Sequence, residues 1–397
     1  MQKFLCFLLL IGCFCSLAFI AEGKEPKYKK IVLTDKFYSE GAYTGDFNKD
    51  GKLDVVAGPY WYEGPDFQKK YEIYQPEAID PEGYSECFLC YVGDFNDDGW
   101  DDYFVCPHPG KDSFWFENPK GKDGHWKKHP ALKELGNESP MWGDILKIGK
   151  KGPVYNMNGY LGFGTYNIVD GSPRWYFHAI TPKNDRYQRY THGIGYGDIN
   201  GDGRIDLVDQ EGWWEQPEII MSHETWKFHP YHFADGAAQM LVYDVDGDGM
   251  NDVVTAWHCH LFGLVWYKQI KSDDGEIKWE KHEIFPADPE DKSNPARISQ
   301  LHAFDIADFN GDGLPDFVSG KRFWAHGSKG DAEPDAPAIL YWFELKRNGQ
   351  GGAEFIPHKI DDNSGVGTQV HAVDINKDGT PDIVVGNKKG VFVFLSE

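Results

Sequence analysis

The nine residues DFNGDGLPD (Asp308–Asp316) decide how this chain folds, because their pattern occurs five more times. DFNKDGKLD spans Asp46–Asp54, DFNDDGWDD spans Asp94–Asp102 and DINGDGRID spans Asp198–Asp206. DVDGDGMND follows at Asp244–Asp252 and DINKDGTPD at Asp374–Asp382. Side-chain oxygens therefore recur at positions 1, 3, 5 and 9 of each copy. They belong to Asp46, Asn48, Asp50 and Asp54, then Asp94, Asn96, Asp98 and Asp102, then Asp198, Asn200, Asp202 and Asp206. The later sets are Asp244, Asp246, Asp248 and Asp252, Asp308, Asn310, Asp312 and Asp316, and Asp374, Asn376, Asp378 and Asp382. Alternating carboxylate and amide oxygens on a tight loop suit a hard cation that takes roughly six to eight oxygens at flexible geometry, which is Ca²⁺. Glycine at position 6 permits the sharp turn. An EF-hand would need a glutamate at position 12 and a helix on each side. Here the flanks, GAYTG before and LDVVAG after the first copy, are β-rich, so each loop is expected to join two strands and to hold one of about six calcium ions.

The first aspartates fall at 46, 94, 198, 244, 308 and 374, giving steps of 48, 104, 46, 64 and 66 residues. The step of 104 leaves room for a degenerate unit, and MWGDILKIGKKGPVYN from Met141 sits where it belongs. Six units plus one make seven, each of roughly 50 residues, a period typical of propellers and other arrays. Within a unit an apolar strand such as Val55-Val56-Ala57 follows the loop, then an aromatic strand ending in acid such as Trp213-Trp214-Glu215. A fourth strand carries Trp-x-x-His: Trp126 with His129, Trp175 with His178, Trp226 with His229, Trp279 with His282. Four strands in each of seven units describe an all-β, seven-bladed β-propeller with calcium loops between the first and second strands of six blades. The last unit has three strands, so the stretch KIVLTDKF near the N-terminus is expected to supply its fourth and close the ring. A closed ring needs no partner, and a monomer is expected.

Residues 1–23 read as a secretory signal, one lysine followed by an apolar run, and 24–397 as a single propeller domain. Small residues at Ser16/Ala18 or Ala21/Gly23 suit ordinary cleavage, whereas Leu10-Ile11-Gly12-Cys13 resembles a bacterial lipobox with Cys13 as the lipid acceptor. Either route predicts a secreted or periplasmic protein, or an outer-membrane lipoprotein, with no transmembrane helix in the mature chain. Cys87, Cys90, Cys106 and Cys259 are too few for a disulfide framework; Cys87 or Cys90 pairing with Cys106, and buried free thiols, are both open. The formal charge is −23, and six divalent ions would add 12 and bring it to −11. Such a surface repels nucleic acid, so no nucleic-acid partner is expected.

Loops joining first and second strands lie on one face of the disc. Residues before first strands and after second strands must then share the opposite rim. That parity collects Glu40, His192, Gln239, His302 and Gln369, together with Tyr60, His108, Glu211, His258, His260, Lys321, Arg322 and His326. His371 lies further down its strand. The Trp-x-x-His histidines and His358 recur at one outer-strand position and read as scaffold, while the rim histidines depart from the repeat and read as a site. Three or more imidazoles there could hold one transition metal, Zn, Fe or Mn, with an open position. A free imidazole could move a proton near neutral pH, and Tyr60, Trp213 and Trp324 could stack on sugar faces.

The DxNxDGxxD repeats resemble the FG-GAP/VCBS family of calcium-binding propellers over nearly the whole chain after the signal. More narrowly, THGIGYGDINGDGRIDLVDQEGWWEQP, QMLVYDVDGDGMNDVVTAWHCHLFGLVWYKQ, VSGKRFWAHG and GVGTQVHAVDINKDGTPDIVVGNKKGVFVF resemble the propeller domain of the aldos-2-ulose dehydratases. Those enzymes eliminate water from anhydro-keto sugars and carry cupin domains after the propeller, which this sequence does not include. The resemblance implies at most the dehydratase step, on a sugar or polysaccharide-derived small molecule. His192, His302, His260, His108, His326, Lys321, Arg322 and Glu211 are the expected catalytic set on the rim argument. A rigid disc that binds a glycan or protein without chemistry is the alternative.

Overall fold

The computed structural model describes residues 23–220, 224–273 and 275–397. The expected signal and lipobox, with Cys13, lie outside them apart from Gly23. Among the described residues every element is a β-strand except the short helix Gly327–Gly330, and no helix is long and apolar enough to cross a membrane.

The strands form a β-propeller. Four-stranded antiparallel sheets occupy 43–72, 89–130, 136–179 and 301–361. An eight-stranded sheet covers 194–285: two four-strand meanders meet where Ile194–Gly197 runs parallel to Gln239–Tyr243, pairing Ile194 with Gln239 and Gly195 with Met240. The last sheet takes its three strands from 370–396 and its fourth from Tyr28–Thr34, which pairs antiparallel with Gly390–Ser396 from Tyr28 opposite Ser396 to Thr34 opposite Val391. The first and last parts of the chain thus share one sheet, as the sequence predicts, and Tyr28–Thr34 covers the edge of Gly390–Ser396.

The core lies between successive sheets. Second strands such as Asp54–Ala57 and Asp382–Asn387 are buried on both faces, which is why they read as continuous apolar runs. Tyr38, Val55 and Tyr62 of the first unit pack on Val384 and Val393 of the last. The outer strands carry the Trp and His repeat as cross-strand pairs. Trp115, Trp213 and Trp342 lie opposite His129, His229 and His358. Their rings stack at 4.5, 3.9 and 4.4 Å. Each imidazole Nε2 also meets the glutamate two residues beyond the tryptophan, at 2.8 Å for Glu117, 2.7 Å for Glu215 and 2.9 Å for Glu344. These histidines hold blade edges together. Cys87, Cys90, Cys106 and Cys259 are buried free thiols.

Each DxNxDG loop is a self-contained turn. In the first, Asp46 Oδ1 accepts the Asp50 N–H (3.0 Å) and Asp46 Oδ2 the Gly51 N–H (2.9 Å), with Gly51 at φ 83°. The position-9 aspartates are fully buried and commit both oxygens to backbone: Asp54 takes Phe47 and Gly64 N–H at 2.9 Å each, and Asp316 takes Phe309 (3.0 Å) and Leu345 (2.8 Å). The degenerate loop keeps part of this. Asp144 accepts the N–H groups of Ile148 (3.0 Å) and Gly149 (2.6 Å), so that unit retains the acid of position 1 and the glycine of position 6.

Candidate functional site

Three chain segments place a buried charge cluster on the face opposite the loops. Arg322 follows the strand Asp316–Lys321, its N–H bound to the Gln300 carbonyl at 2.9 Å. His258-Cys259-His260 sits in a turn closed by Leu261 N–H to His258 O (3.0 Å) and Trp257 N–H to Gly263 O (3.0 Å). Gly263 has φ 102°, and a Cβ there would lie 2.6 Å from Trp257 Cβ. Glu40 is fixed through its backbone, its N–H on Cys87 O (2.9 Å) and its carbonyl taking the Thr368 N–H (3.0 Å).

Arg322, 1 % exposed, is the hub. Its Nη2 donates to Glu40 Oε2 at 2.7 Å, while its Nη1 reaches His302 Nε2 at 2.9 Å and Glu138 Oε2 at 3.4 Å. His302 Nδ1 lies 3.0 Å from the Cys259 carbonyl. A carbonyl only accepts, so Nδ1 carries the proton, and Nε2 offers its lone pair to the guanidinium. His192 Nε2 stands 3.2 Å from His302 Nε2 and 3.4 Å from Glu138 Oε2. The Glu138 carboxylate only accepts, so His192 donates to it from Nε2, and its Nδ1 holds the free lone pair. His260 packs edge-on to His192 and His302 with ring centroids 4.7 Å from each, and 4.4 Å from His326. His326 leans on Asp331 at 3.2 Å.

The electrostatics follow from burial beside a fixed cation. Burial, then Arg322 and the neighbouring rings, hold His302 well below an ordinary imidazole. Burial first and His192, Arg322 and His326 after it push His260 down to about 2. For Glu138 burial would raise the pKa, but the hydrogen bond and charge of His192, with Arg322, outweigh it and hold the carboxyl at about 2. The result is a carboxylate–guanidinium–carboxylate row beside the neutral imidazoles of His260 and His302. A cleft of about 360 Å³, lined by His192, Asn137, Gln188, Tyr190 and Glu211, connects His192 to solvent.

The rim argument therefore brings together His192, His258, His260, His302, His326, Arg322 and Glu40. It does not bring in the rest. Lys321 Nζ is held by Ser299 Oγ and by the Ala332 carbonyl at 3.2 Å, away from the imidazoles. Glu211 lines the cleft at His192, but its carboxylate turns to His232 at 3.1 Å. His108 is boxed edge-on by Phe88 (5.2 Å), Tyr84 (5.4 Å) and Tyr190 (5.8 Å). Gln239 and Gln369 stitch blades, Gln369 taking the Cys90 N–H (3.0 Å) and donating to its carbonyl (2.8 Å). Tyr60 and Trp213 are core side chains, whereas Trp324 is half-buried beside Phe323. His371 stacks on Tyr43 at 3.9 Å, deeper between the inner strands.

Sequence reading missed Glu138. The signal exists: Glu138 stands six residues ahead of Asp144, as Glu40, His192 and His302 stand six ahead of Asp46, Asp198 and Asp308. One inward-facing register position thus supplies four members of the cluster from four units.

His192, Cys259, His260 and His302 have ligand atoms within 4.8 Å of one another, the sort of donor set that suits zinc. The set fits a divalent ion poorly. His302 has no lone pair to spare, and a cation bound there would face a guanidinium that is itself cationic and cannot ligate. The loops fit better. In the loop Asp244–Asp252, carboxylate oxygens of Asp244, Asp246 and Asp252 converge within 4.8 Å, and Lys268, bound to Asp246 and 3.5 Å from Asp248, offsets the extra charge of Asp246 where the other copies have Asn.

Residues 308–385 match the family model of the FG-GAP-like repeat. The match takes in the loops that open at Asp308 and Asp374 and the sheet between them. Among curated proteins no match is found.

Proposed function

We propose that this chain is a secreted, calcium-stabilised propeller of seven blades that acts as a carbon–oxygen lyase, removing water from an oxidised sugar at the His192–Arg322 cluster. The eight-stranded sheet counts as two blades in this reading. The observation that carries it is the pairing of an imidazole that has a free lone pair at the edge of a cleft with a buried, fixed cation. A carbonyl acidifies the adjacent C–H. His192 Nδ1 takes that proton, and Glu138 steadies the imidazolium through Nε2–H. The C–H electron pair passes into an enolate whose oxygen faces Arg322, a preorganised donor in a dry site. The enolate pair then forms the C=C bond and expels the β-hydroxyl, which receives a proton from His326. His192 returns its proton to solvent and His326 takes one back from it, so the net loss is one water. Calcium belongs to the opposite face and takes no part in these steps, and a transition metal is not part of the reading. The expected signal at 1–23 and the resemblance to the dehydratase propellers support export and a sugar substrate.

The test is a screen of keto-sugars for loss of water, followed by His192→Asn and Arg322→Lys. His192→Asn is expected to lower kcat by about 10²- to 10⁴-fold, the usual contribution of a general base, with the melting temperature unchanged. Turnover that survives His192→Asn would remove the base from this mechanism. Exposed Tyr190, which lines the cleft, and exposed Tyr84, on the other side of His108, favour a second reading, glycan binding without chemistry. Saturable binding of a sugar that is never dehydrated would favour it.

A further inference from the structure

Three charged groups around the cluster have atoms buried without a hydrogen-bond partner among the described residues: Lys388 Nζ, Arg322 Nε and Glu40 Oε1. Their residues are 4 %, 1 % and 1 % exposed. Lys388 is the odd one. It sits in the tight turn between Asp382–Asn387 and Gly390–Ser396, where a lysine stem can reach water easily, as half-buried Lys389 does. Instead it folds inward, with Nζ 4.6 Å over the Tyr84 ring and 5.9 Å from that of Phe37. The nearest acids are engaged elsewhere: Glu82 Oε2 takes the Ser328 N–H at 3.2 Å, Asp331 holds His326 at 3.2 Å, and Glu40 Oε2 is bound to Arg322. Arg322 and Glu40 are near enough to act on Lys388 by charge, and the Arg322 guanidinium lies 5.6 Å from the Phe88 ring, which in turn lies 6.0 Å from Tyr84.

A buried ammonium with three open N–H donors is costly unless an anion meets it. Burial, and the charge of Arg322, hold Lys388 below its ordinary pKa, the direction expected for a cation still lacking its counterion. The open donors are two and cationic, and the open acceptor beside them, Glu40 Oε1, suits a hydroxyl. A carboxylate carrying a neighbouring hydroxyl answers all three.

We infer that Lys388 and the Nε–H of Arg322 form a carboxylate subsite under Tyr84, and that the substrate is a sugar acid whose hydroxyl donates to Glu40. This rests on the lyase reading only for what happens to the ligand afterwards; the recognition stands apart. The sugar acid is held by charge at one end, and the aromatic face of Tyr84 covers it.

D-Fructuronate and D-fructose, which differ only in a carboxylate for a hydroxymethyl group, make the test. Binding to the full calcium-loaded chain is measured by calorimetry, and loss of water is followed in the same samples. Fructuronate is expected to bind about 10- to 100-fold more tightly than fructose, the contribution of one charge-assisted hydrogen bond. Lys388→Gln should abolish that preference and Lys388→Arg should keep most of it, at unchanged melting temperature. Equal affinity for the two sugars, failure of both to bind, or a preference that survives Lys388→Gln would overturn the subsite. The subsite would fall on any of these results even if fructose is dehydrated, which would leave the lyase reading standing. Selective, Lys388-dependent binding without loss of water would uphold the subsite and sink the lyase. Should Lys388→Gln fail to fold, the wild-type preference and its retention in Lys388→Arg still decide.

Discussion

At His302 one backbone carbonyl decides what the imidazole can do. Because its Nδ1–H donates to Cys259 O and its Nε2 accepts from Arg322, this ring is a spacer that orients Arg322, and in the proposed reaction the work of a base is assigned to His192. The same arrangement makes a pH prediction. His302 and His260 are both held far below the unfolded value near 6.5, in each case first by burial. An unfolded chain takes up these protons as pH falls through about 6.5, and the folded chain refuses them. The stability they contribute is therefore complete above about pH 6.5 and declines as the solution is acidified. Melting temperatures in saturating calcium between pH 7.5 and pH 5 should fall more steeply for the wild type than for His260→Asn. Parallel slopes would defeat the prediction. The row Glu40–Arg322–Glu138 is a different case, since removing one member strands a buried charge. Glu40→Ala is expected to cost about 3–5 kcal/mol, read by denaturant titration, and a loss below about 1 kcal/mol would mean that water reaches Arg322.

At the scale of the element, the nine-residue loop combines two jobs that mutation can separate. Asp312 stays within the loop, accepting the Leu314 N–H (2.8 Å) and the Asn310 amide (3.1 Å), whereas Asp316 is fully buried and holds Phe309 and Leu345 by their N–H groups. Asp312→Ala should lower the melting temperature in calcium and leave it nearly unchanged in EGTA. Asp316→Ala leaves two buried N–H groups unpaired, at about 1–3 kcal/mol each, so it should lower the melting temperature under both conditions. Equal behaviour of the two variants would refute the division. Loop and strand order were legible in sequence because the repeat spells them out, and the rim followed from strand parity. What parity could not supply is direction within the rim. Lys321 and Arg322 are adjacent, and successive residues near a strand end face opposite ways; only Arg322 turns to the imidazoles. Glu211 stands on the turn Asp209–Gly212 and faces out to His232 for the same reason. Glu138 escaped because its unit has lost the acids of positions 3, 5 and 9, and the register must be taken from Asp144 and Gly149 alone.

For the whole molecule, stability is shared between inter-sheet cores and the loops. Calcium bound only to the folded chain would add about 2.7 kcal/mol per loop at a hundredfold excess over Kd. EGTA should therefore lower the melting temperature sharply, and an unchanged melting curve would exclude structural calcium. Elemental analysis after dialysis should find calcium near six per chain, with zinc, iron and manganese far below one. The last sheet has a further consequence. Tyr28–Thr34 waits for Gly390–Ser396, the two farthest-separated strands of the chain, and contacts so distant in sequence are slow to form. During synthesis the seam cannot close until the final strand has left the ribosome. Up to that moment Gly390–Ser396 and Tyr28–Thr34 each lack their ladder partner, and the last sheet is incomplete. The closed seam is thus a clasp between the two ends of the chain, and cutting away Tyr28–Thr34 would reopen it at Gly390–Ser396.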